Sequence, residues 1–394
     1  MKRISYIITD KVISSKHESG YAIHINAVIN RLRDMGYDVQ TYIEGDRSLR
    51  NNTKLHQVEM KQSLLHKLIP VKIKNLLREI LFRKSKQQQK NRIEEFIRET
   101  KPEVIYERQT YGNTIVADLC QKYNIPLILE TNAPQAEEQK VFNRDSLLNF
   151  IGKREEKHSL EIADSVIVVS SELKKYLSQS YHIIDDKIQV IPNAVDANWL
   201  KKMAAKNDSP VTPKVIGFVG SFLKWHKVDS LIRAFSIFAK SSALDVELLL
   251  VGDGEQKQTL MTLVNELNIS DQVTFTGMIH HENIADYINN MDICVMAASN
   301  WYGSPIKIFE YGAFGKPIIA PRTGPVLEVM EDRVDGYIVD GEKELEAAIR
   351  EIFIDYDKAI AIAKHFQTKV INEYTWTKVA DKTAEIIEKN IKVA

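Results

Sequence analysis

With 394 residues, 44% hydrophobic and 27% charged, the chain has ordinary globular composition and enough length for two domains. Its 53 Lys and Arg balance 53 Asp and Glu, which argues against a nucleic-acid partner. Cys120 and Cys294 form no motif and do not suggest a disulfide framework, and no run approaches the roughly 20 apolar residues of a membrane span, so a cytoplasmic protein is expected.

The opening "MKRISYIITD" reads as a short first strand, its apolar run being too short and interrupted for a signal peptide. "HESGYAIH" follows, with Gly20 between this strand and the first helix. A glycine there either lets a backbone approach a phosphate closely or makes a plain helix-start turn. "AIHINAVINRLRDMGYDVQTYI" then reads as helix, turn and strand. Residues 54–92 carry eleven Lys or Arg against Glu59 and Glu79. Within them "LLHKLIPVKIKNLLREILFRK" interleaves Leu and Ile with cations at helical spacing. That pattern fits a segment lying on an anionic membrane surface, and equally a surface helix pair packed on its own domain.

"PEVIYER", "IPLILET" and "DSVIVVS" are short β-rich runs separated by helical patterns. Glu107 and Arg108 end the first of them, either contacting an acceptor or a donor phosphate at the mouth of a cleft or capping the strand as an ion pair. After "KIQVIPNAVD" the pattern restarts: "KVIGFVGSF", "VELLLVGDG", "QVTFTGMI", "DICVMAAS" and "KPIIAPRTG" are again strands followed by helices. Such alternation means parallel sheets covered on both faces, here two doubly wound domains joined near Asn193–Asp196. Ligands of such sheets bind beyond the carboxyl ends of the strands.

"YGSPIKIFEYGAFGKPIIA" places one carboxylate in a greasy helix. Ser304 suits the N-cap and Pro305 the first helical position. The N–H groups of Ile306 and Lys307 are then free for an anion, and Glu310 lies on the same face one turn later. A nucleotide diphosphate followed by a ribose would fit this arrangement, and so would a partly buried helix whose acid reaches a backbone partner. Further on, Asp355–Tyr356–Asp357 imitates a metal-binding Asp-x-Asp but lies in a helix-rich tail, where a surface turn is the better reading; no His/Cys cluster has metal-ligand spacing.

In this order and spacing, "IYER", "ADSVIVVSSELKKYL", "IPNAVD", "VGSFLKWHKVDSLIRAF", "ELLLVGDGE", "VTFTGMIHHENIADYINNMDICVMAAS", "YGSPIKIFEYGAFGKPIIA" and "GPVLEVMEDRVDGYIVD" resemble a GT-B glycosyltransferase of the large retaining family numbered four. The resemblance implies two Rossmann-like domains facing a central cleft. Residues 1–195 would bind the acceptor and 196–375 the nucleotide sugar, with a helix in 376–394 packing back on the first domain. It assigns Glu310 to the donor ribose; Gly303 and the tip Ser304, Pro305, Ile306 and Lys307 would also bind the donor, the tip being a candidate for the diphosphate. Gly20, Gly220 and Gly252 would also lie along the donor, with Met278 and Ile279 near the base. His24, Glu107 and Arg108 would face the acceptor. Three departures matter. Tyr302 stands where the family commonly has a Glu that contacts the transferred sugar. Ser221 replaces a loop Arg, and His226–Lys227 replaces a Lys-Gly, so the cationic role falls to Lys224, His226 or Lys227. Asn132 occupies the column of a His near the reacting centre; an amide can orient a hydroxyl but cannot act as a base.

The implied reaction moves a sugar from a UDP- or GDP-sugar to an acceptor hydroxyl with retention, without metal or other cofactor, the leaving phosphate taking the acceptor's proton. The implied setting is assembly of a bacterial surface glycan on a glycan or lipid-linked acceptor, at the inner face of the membrane. Two alternatives remain beside it: a synthase of the same fold with a small soluble acceptor, and a binding protein that has lost transfer.

Overall fold

The computed structural model describes residues 2–16, 20–51, 70–142, 144, 146, 148–196, 214–242 and 244–391. The chain divides into two compact units, Met1–Ile191 with Ala380–Ala394, and Pro192–Val379.

In the first unit β1 (Arg3–Ile8), α1 (Gly20–Asp34), β2 (Asp38–Ile43), α2 (Glu44–Asn51), α3 (Val71–Thr100) and β3 (Val104–Arg108) come first. They are followed by α4 (Ile115–Tyr123), β4 (Leu127–Thr131), α5 (Gln135–Val141), α6 (Asn149–Ile162), β5 (Ser165–Val168), α7 (Ser171–Tyr181) and β6 (Ile188–Val190). The strands form one parallel sheet in the order β2-β1-β3-β4-β5-β6. All five residues of β4 are buried, as expected of a strand covered on both faces. Local signals end and start the helices: Asn124, at φ 53°, stops α4 in the left-handed region, and the Ser170 hydroxyl accepts from Leu173 N at 3.1 Å to cap α7.

The helix α3 contains the described part of the basic stretch, whereas Lys54, Lys61, Lys67 and Glu59 lie outside the described residues. Three cations of that stretch are committed to carboxylates. Arg83 meets Glu79 at 2.7 Å and Glu155 at 2.8 Å, Lys86 meets Glu155 at 2.7 Å, and Arg92 meets Glu44 at 2.7 Å. Among the described residues no helix is long and apolar enough to cross a membrane.

The second unit begins with β7 (Val215–Val219), α8 (Val228–Ser241), β8 (Glu247–Val251), α9 (Lys257–Glu266), β9 (Val273–Gly277), α10 (His281–Asn290) and β10 (Ile293–Val295). It continues with α11 (Ile306–Ala313), β11 (Ile318–Pro321), α12 (Gly324–Leu327), β12 (Tyr337–Val339), α13 (Gly341–Ile354) and α14 (Tyr356–Glu373). Its parallel sheet has the order β12-β11-β10-β7-β8-β9. Period-two alternation gives this sheet two cores. Ile216, Phe218 and Leu250 pack with α8, α9 and α13 on one face, while Val219, Val251 and Cys294 pack with α10 and α11 on the other. Asp355 accepts from Lys358 N at 3.0 Å and caps α14, which gives the Asp-x-Asp sequence a structural role.

Two segments adjust the expected division. The first unit ends at Ile191 rather than Val195, because Asn193 bonds Ser304 and Val195 pairs with Thr375, both within the second unit. The last helix, α15 (Trp376–Ile391), belongs to the first unit from Ala380 onward. There Ala384 and Ile387 are buried, Tyr37 donates to Glu388 at 2.5 Å, and Arg31 donates to Asp381 at 3.1 Å.

Both sheets reverse direction of growth once, between β1 and β3 in the first and between β7 and β10 in the second. Loops leaving the carboxyl ends of those strand pairs diverge and leave a crevice, the usual ligand position in open α/β sheets.

Candidate functional site

At the crevice of the second unit, the loop after β7 lies backbone to backbone on the loop after β8. Gly220 N donates to Val251 O at 2.9 Å, and Phe222 N to Asp253 O at 2.9 Å. A side chain has no room there: a Cβ on Gly252, at φ 137°, would sit 2.0 Å from Gly220 O. Gly220, at φ 148°, leaves space of a different kind. A Cβ on it would meet Lys307 Cε at 2.4 Å, so the lysine from α11 lies across the bare glycine. The Lys307 ammonium sits 5.7 Å from the Phe218 ring centroid and has no hydrogen-bond or ion-pair partner among the described residues. Burial pushes its pKa down, with Glu310 pulling the other way.

The loop itself carries Lys224 and Lys227, both exposed, and the half-buried His226. His226 Nδ1 lies 2.6 Å from the carbonyl oxygen of Ser221. A carbonyl only accepts, so Nδ1 carries the proton. Burial first, and the Lys307 charge second, push the pKa of His226 down to about 4. The ring is therefore neutral at neutral pH. Lys227 occupies the left-handed region at φ 45°. Ser221 is exposed and takes part through its backbone.

The helix tip begins one residue later than expected. Pro305 is the N-cap rather than the first helical residue, and no side chain caps α11. The Ser304 hydroxyl instead accepts from Asn193 N at 3.0 Å, while Asn193 Nδ2 donates to Ser304 O at 2.7 Å. This leaves the first N–H groups of the helix without a side-chain acceptor and the positive end of its dipole uncovered. Gly303 N donates to Asn300 Oδ1 at 2.5 Å, and a Cβ on Gly303 would crowd that amide at 2.7 Å. Tyr302 is buried and stacks edge-on against Trp301 at 5.2 Å. Glu310 follows one turn along α11, with His281 Nε2 3.6 Å from its Oε1. Met278 is 82% exposed just past β9, and Ile279 beside it is half-buried; with His280, Asn283, Asp286 and Tyr287 they line a hollow of about 500 Å³.

The crevice of the first unit holds a buried charge network. Glu130, at the end of β4, accepts from Arg108 Nη1 at 2.5 Å, Asn132 Nδ2 at 2.5 Å and Tyr106 OH at 2.7 Å. Burial alone would raise the pKa of Glu130; the charge of Arg108, with the Asn132 and Tyr106 hydrogen bonds, outweighs it and holds the carboxyl below its ordinary range. Arg108 Nη1 also lies 3.2 Å from His24 Nδ1. Arginine only donates, so this nitrogen accepts and His24 is neutral with its proton on Nε2. Burial likewise lowers the His24 pKa, so its 3.6 Å approach to Glu130 is not an ion pair at neutral pH. Arg108, Asn132 and Tyr106 then hold the carboxylate. Gly20 is the first residue of α1, the helix that carries His24.

Glu107 does not join this group, which corrects both sequence readings of it. Successive strand residues face opposite sides, so Arg108 turns to Glu130 while Glu107 turns away. Glu107 is buried at 1% exposure with Oε1 unpartnered, and burial followed by the charge of Asp118 drives its pKa well up. The ion pair of Arg108 is with Glu130 instead.

Glu130, Asn193 and His281 escaped the sequence reading. The signal for Glu130 was available: it is an acid closing the apolar run "LILE", the same anomaly that exposed Glu310. Asn193 and His281 carry no local signal, since their roles arise from contacts across 111 residues and between two helices. Among the described residues no group of three His, Cys, Asp or Glu could hold a metal.

Comparison with known proteins places this geometry. Residues 201–369 match the model of Glycosyl transferases group 1, and residues 19–199 that of Glycosyltransferase Family 4. A GDP-mannose-dependent alpha-(1-6)-phosphatidylinositol monomannoside mannosyltransferase of Mycobacterium tuberculosis is 28% identical over 148 residues, 36% of this chain and 38% of that one. The chain spans less than two thirds of the length of the curated relatives it matches, 59% of one and 38% of this mannosyltransferase. Among solved structures, the sucrose-phosphate synthase of Thermosynechococcus elongatus superposes with a TM-score of 0.75 at 18% identity over 100% of both chains. The Anabaena protein HepE in complex with UDP does so with 0.71 at 18% identity, over 99% of this chain and 100% of that one.

Proposed function

The chain belongs to the glycosyl transferases group 1 and has the GT-B fold, and from that premise we propose that it transfers a sugar from a nucleotide-diphosphate donor to an acceptor hydroxyl with retention. The observation that carries this reading is the row Lys307, uncapped α11 tip and Glu310 at the crevice of the second unit. A cation, a set of free N–H groups and a carboxylate one turn behind follow the order of a diphosphate and a ribose. HepE was solved with UDP, and the mycobacterial relative is named for GDP-mannose, so both nucleotides enter the screen.

In the reaction the bond between the sugar carbon and the diphosphate breaks, and the leaving oxygen takes the electron pair. The acceptor oxygen forms the new bond, and its proton passes to the leaving phosphate on the same face of the sugar. Preorganised donors stabilise the charge that develops on the diphosphate. The reading includes no metal, so transfer survives excess EDTA; complete loss restored by a divalent ion would overturn that part. In the first unit Glu130 fixes Asn132 and Arg108, and the amide so held orients a hydroxyl. The proposed setting is assembly of a surface glycan on a lipid-linked or membrane-proximal acceptor, at the cytoplasmic face. The network around Glu130 and the helix α3 lie in the unit assigned to that acceptor.

Glu310→Ala tests the donor site. Two charged hydrogen bonds to a ribose are lost, costing roughly 3 to 6 kcal/mol, so calorimetry should find donor affinity reduced at least a hundredfold with the fold intact. A variant that binds nucleotide sugar like the wild type refutes the assignment. The screen that precedes it is a thermal shift with UDP- and GDP-sugars, where a ligand at 100 times its Kd adds about 2.7 kcal/mol.

A further inference from the structure

The diphosphate region of this chain lacks the loop arginine common in its family and has His226 in the lysine column. What stands there is a pair of nitrogens from two elements. Lys307 reaches over Gly220 from α11, and His226 stands in the loop turn itself. Both rest on one aromatic: Phe218 is 5.7 Å from the Lys307 ammonium and 5.9 Å from the His226 ring. The imidazole is held at Nδ1 by the Ser221 carbonyl at 2.6 Å and flanked by Trp225 at 5.8 Å. Its Nε2 has no hydrogen-bond partner among the described residues.

Two positive groups this close, with no anion between them, disfavour each other's charge. Of this pair, therefore, only Lys307 is charged at rest, and the ring is neutral with one free lone pair. A neutral Nε2 facing a phosphate oxygen would set lone pair against lone pair, whereas a protonated one donates a charged hydrogen bond. The charges around the ring are few. From α11 it feels Lys307; from β7 it meets uncharged Phe218; within its own turn Lys224 and Lys227 flank it. No carboxylate is among the groups acting on it, so in the empty site nothing draws a proton onto it.

We propose that donor binding carries a proton from solvent onto His226 Nε2, so that Lys307 and a newly charged His226 hold the diphosphate together. Both members of the pair carry charge only when the site is occupied. This rests on the reading of the second unit as a donor site. The sign follows from linkage: the bound state holds one more proton than the free state, so affinity rises as pH falls toward the range where the free ring also titrates. A nucleotide sugar is a suitable probe because its diphosphate, esterified at both ends, has no proton that titrates near neutrality.

The test uses the full chain with UDP-glucose and GDP-mannose. Calorimetry at about pH 6 and about pH 8, in two buffers of different ionisation enthalpy, counts protons taken up. Wild type should bind roughly tenfold tighter at the lower pH with uptake of about one proton, and His226→Gln should bind with neither effect. Imidazole NMR provides a second arm that does not depend on that variant. The His226 resonances should move to the protonated form on adding nucleotide sugar, and in Lys307→Met without ligand they should titrate at higher pH than in wild type. Binding with unchanged pH dependence in His226→Gln, or an imidazole that stays neutral in the complex, overturns the proton uptake alone. Failure of both nucleotide sugars to bind wild type at either pH overturns the donor-site reading and this inference with it.

Discussion

Lys227 shows at the residue scale what a substitution in a shared frame leaves behind. It stands where the family commonly has the glycine of Lys-Gly and keeps the backbone that a glycine would favour, φ 45°. A left-handed conformation costs an L-residue about 1 to 2 kcal/mol, part of which glycine returns through its greater freedom in the unfolded chain. Lys227→Gly should therefore stabilise the protein by up to about 1 kcal/mol, seen as a higher urea midpoint at unchanged slope. A lower midpoint would show that the lysine side chain, though exposed, holds the first turn of α8. Single residues were also the least legible feature of the site. Glu310 was found because an acid in an apolar helix is a local anomaly. The end of the strand "VIYER" suggests that Glu107 and Arg108 both reach the cleft mouth or pair across the strand end, yet strand alternation sends them to opposite faces, and Arg108 finds Glu130 instead. The Lys307–Gly220 contact joins positions 87 apart in the numbering, and no local pattern encodes it.

At the scale of elements, α3 inverts the usual arrangement near its start. Asn75 and Glu79 are buried, whereas Val71, Ile73, Leu77 and Leu81 are 58%, 48%, 51% and 67% exposed. The buried acid is explained by Arg83. The exposed apolar residues, with Lys72, Lys74 and Lys84 among them, form the face expected to meet an anionic bilayer. The ion pairs of Arg83, Lys86 and Arg92 remove those cations from it. Liposome co-sedimentation should therefore respond to two variants. Lys72, Lys74 and Lys84 to Gln should abolish the salt-sensitive part, since the Debye length falls from about 10 Å at 0.1 M to about 3 Å at 1 M salt. Leu77 and Leu81 to Ser should abolish what remains. Equal pelleting with neutral and anionic vesicles, indifferent to both variants, sinks the membrane reading. Element type was legible along most of the chain because period-two runs and helical runs alternate cleanly. Element ends were less so: α11 starts at Ile306 because Ser304 is drawn away by Asn193, a partner that the segment "YGSPIKIFEYG" does not contain.

For the whole molecule, the alternation of strands and helices announces two parallel sheets, and both are there, with six strands each among the described residues. Strand order was not legible, since it depends on which edge each crossover takes, and crossover direction leaves no period in the sequence. The division into units has a mechanical test. Deleting residues 380–394 removes the buried Ala384 and Ile387 and the Tyr37–Glu388 and Arg31–Asp381 bonds from the first unit, while every candidate donor residue of the second unit stays. Calorimetric melting should show one transition lowered and one unchanged, and Glu310-dependent nucleotide binding should persist; loss of both transitions together would mean that the units do not unfold separately. The same division has a consequence during synthesis. The second unit is one continuous stretch, whereas the first is made of two stretches separated by it. On the ribosome the later-encoded unit can therefore close before the earlier one is finished. The first sheet waits through the emergence of nearly two hundred residues with the patch that α15 covers still open to water, and this waiting intermediate is where a chaperone or an aggregate would find the nascent chain.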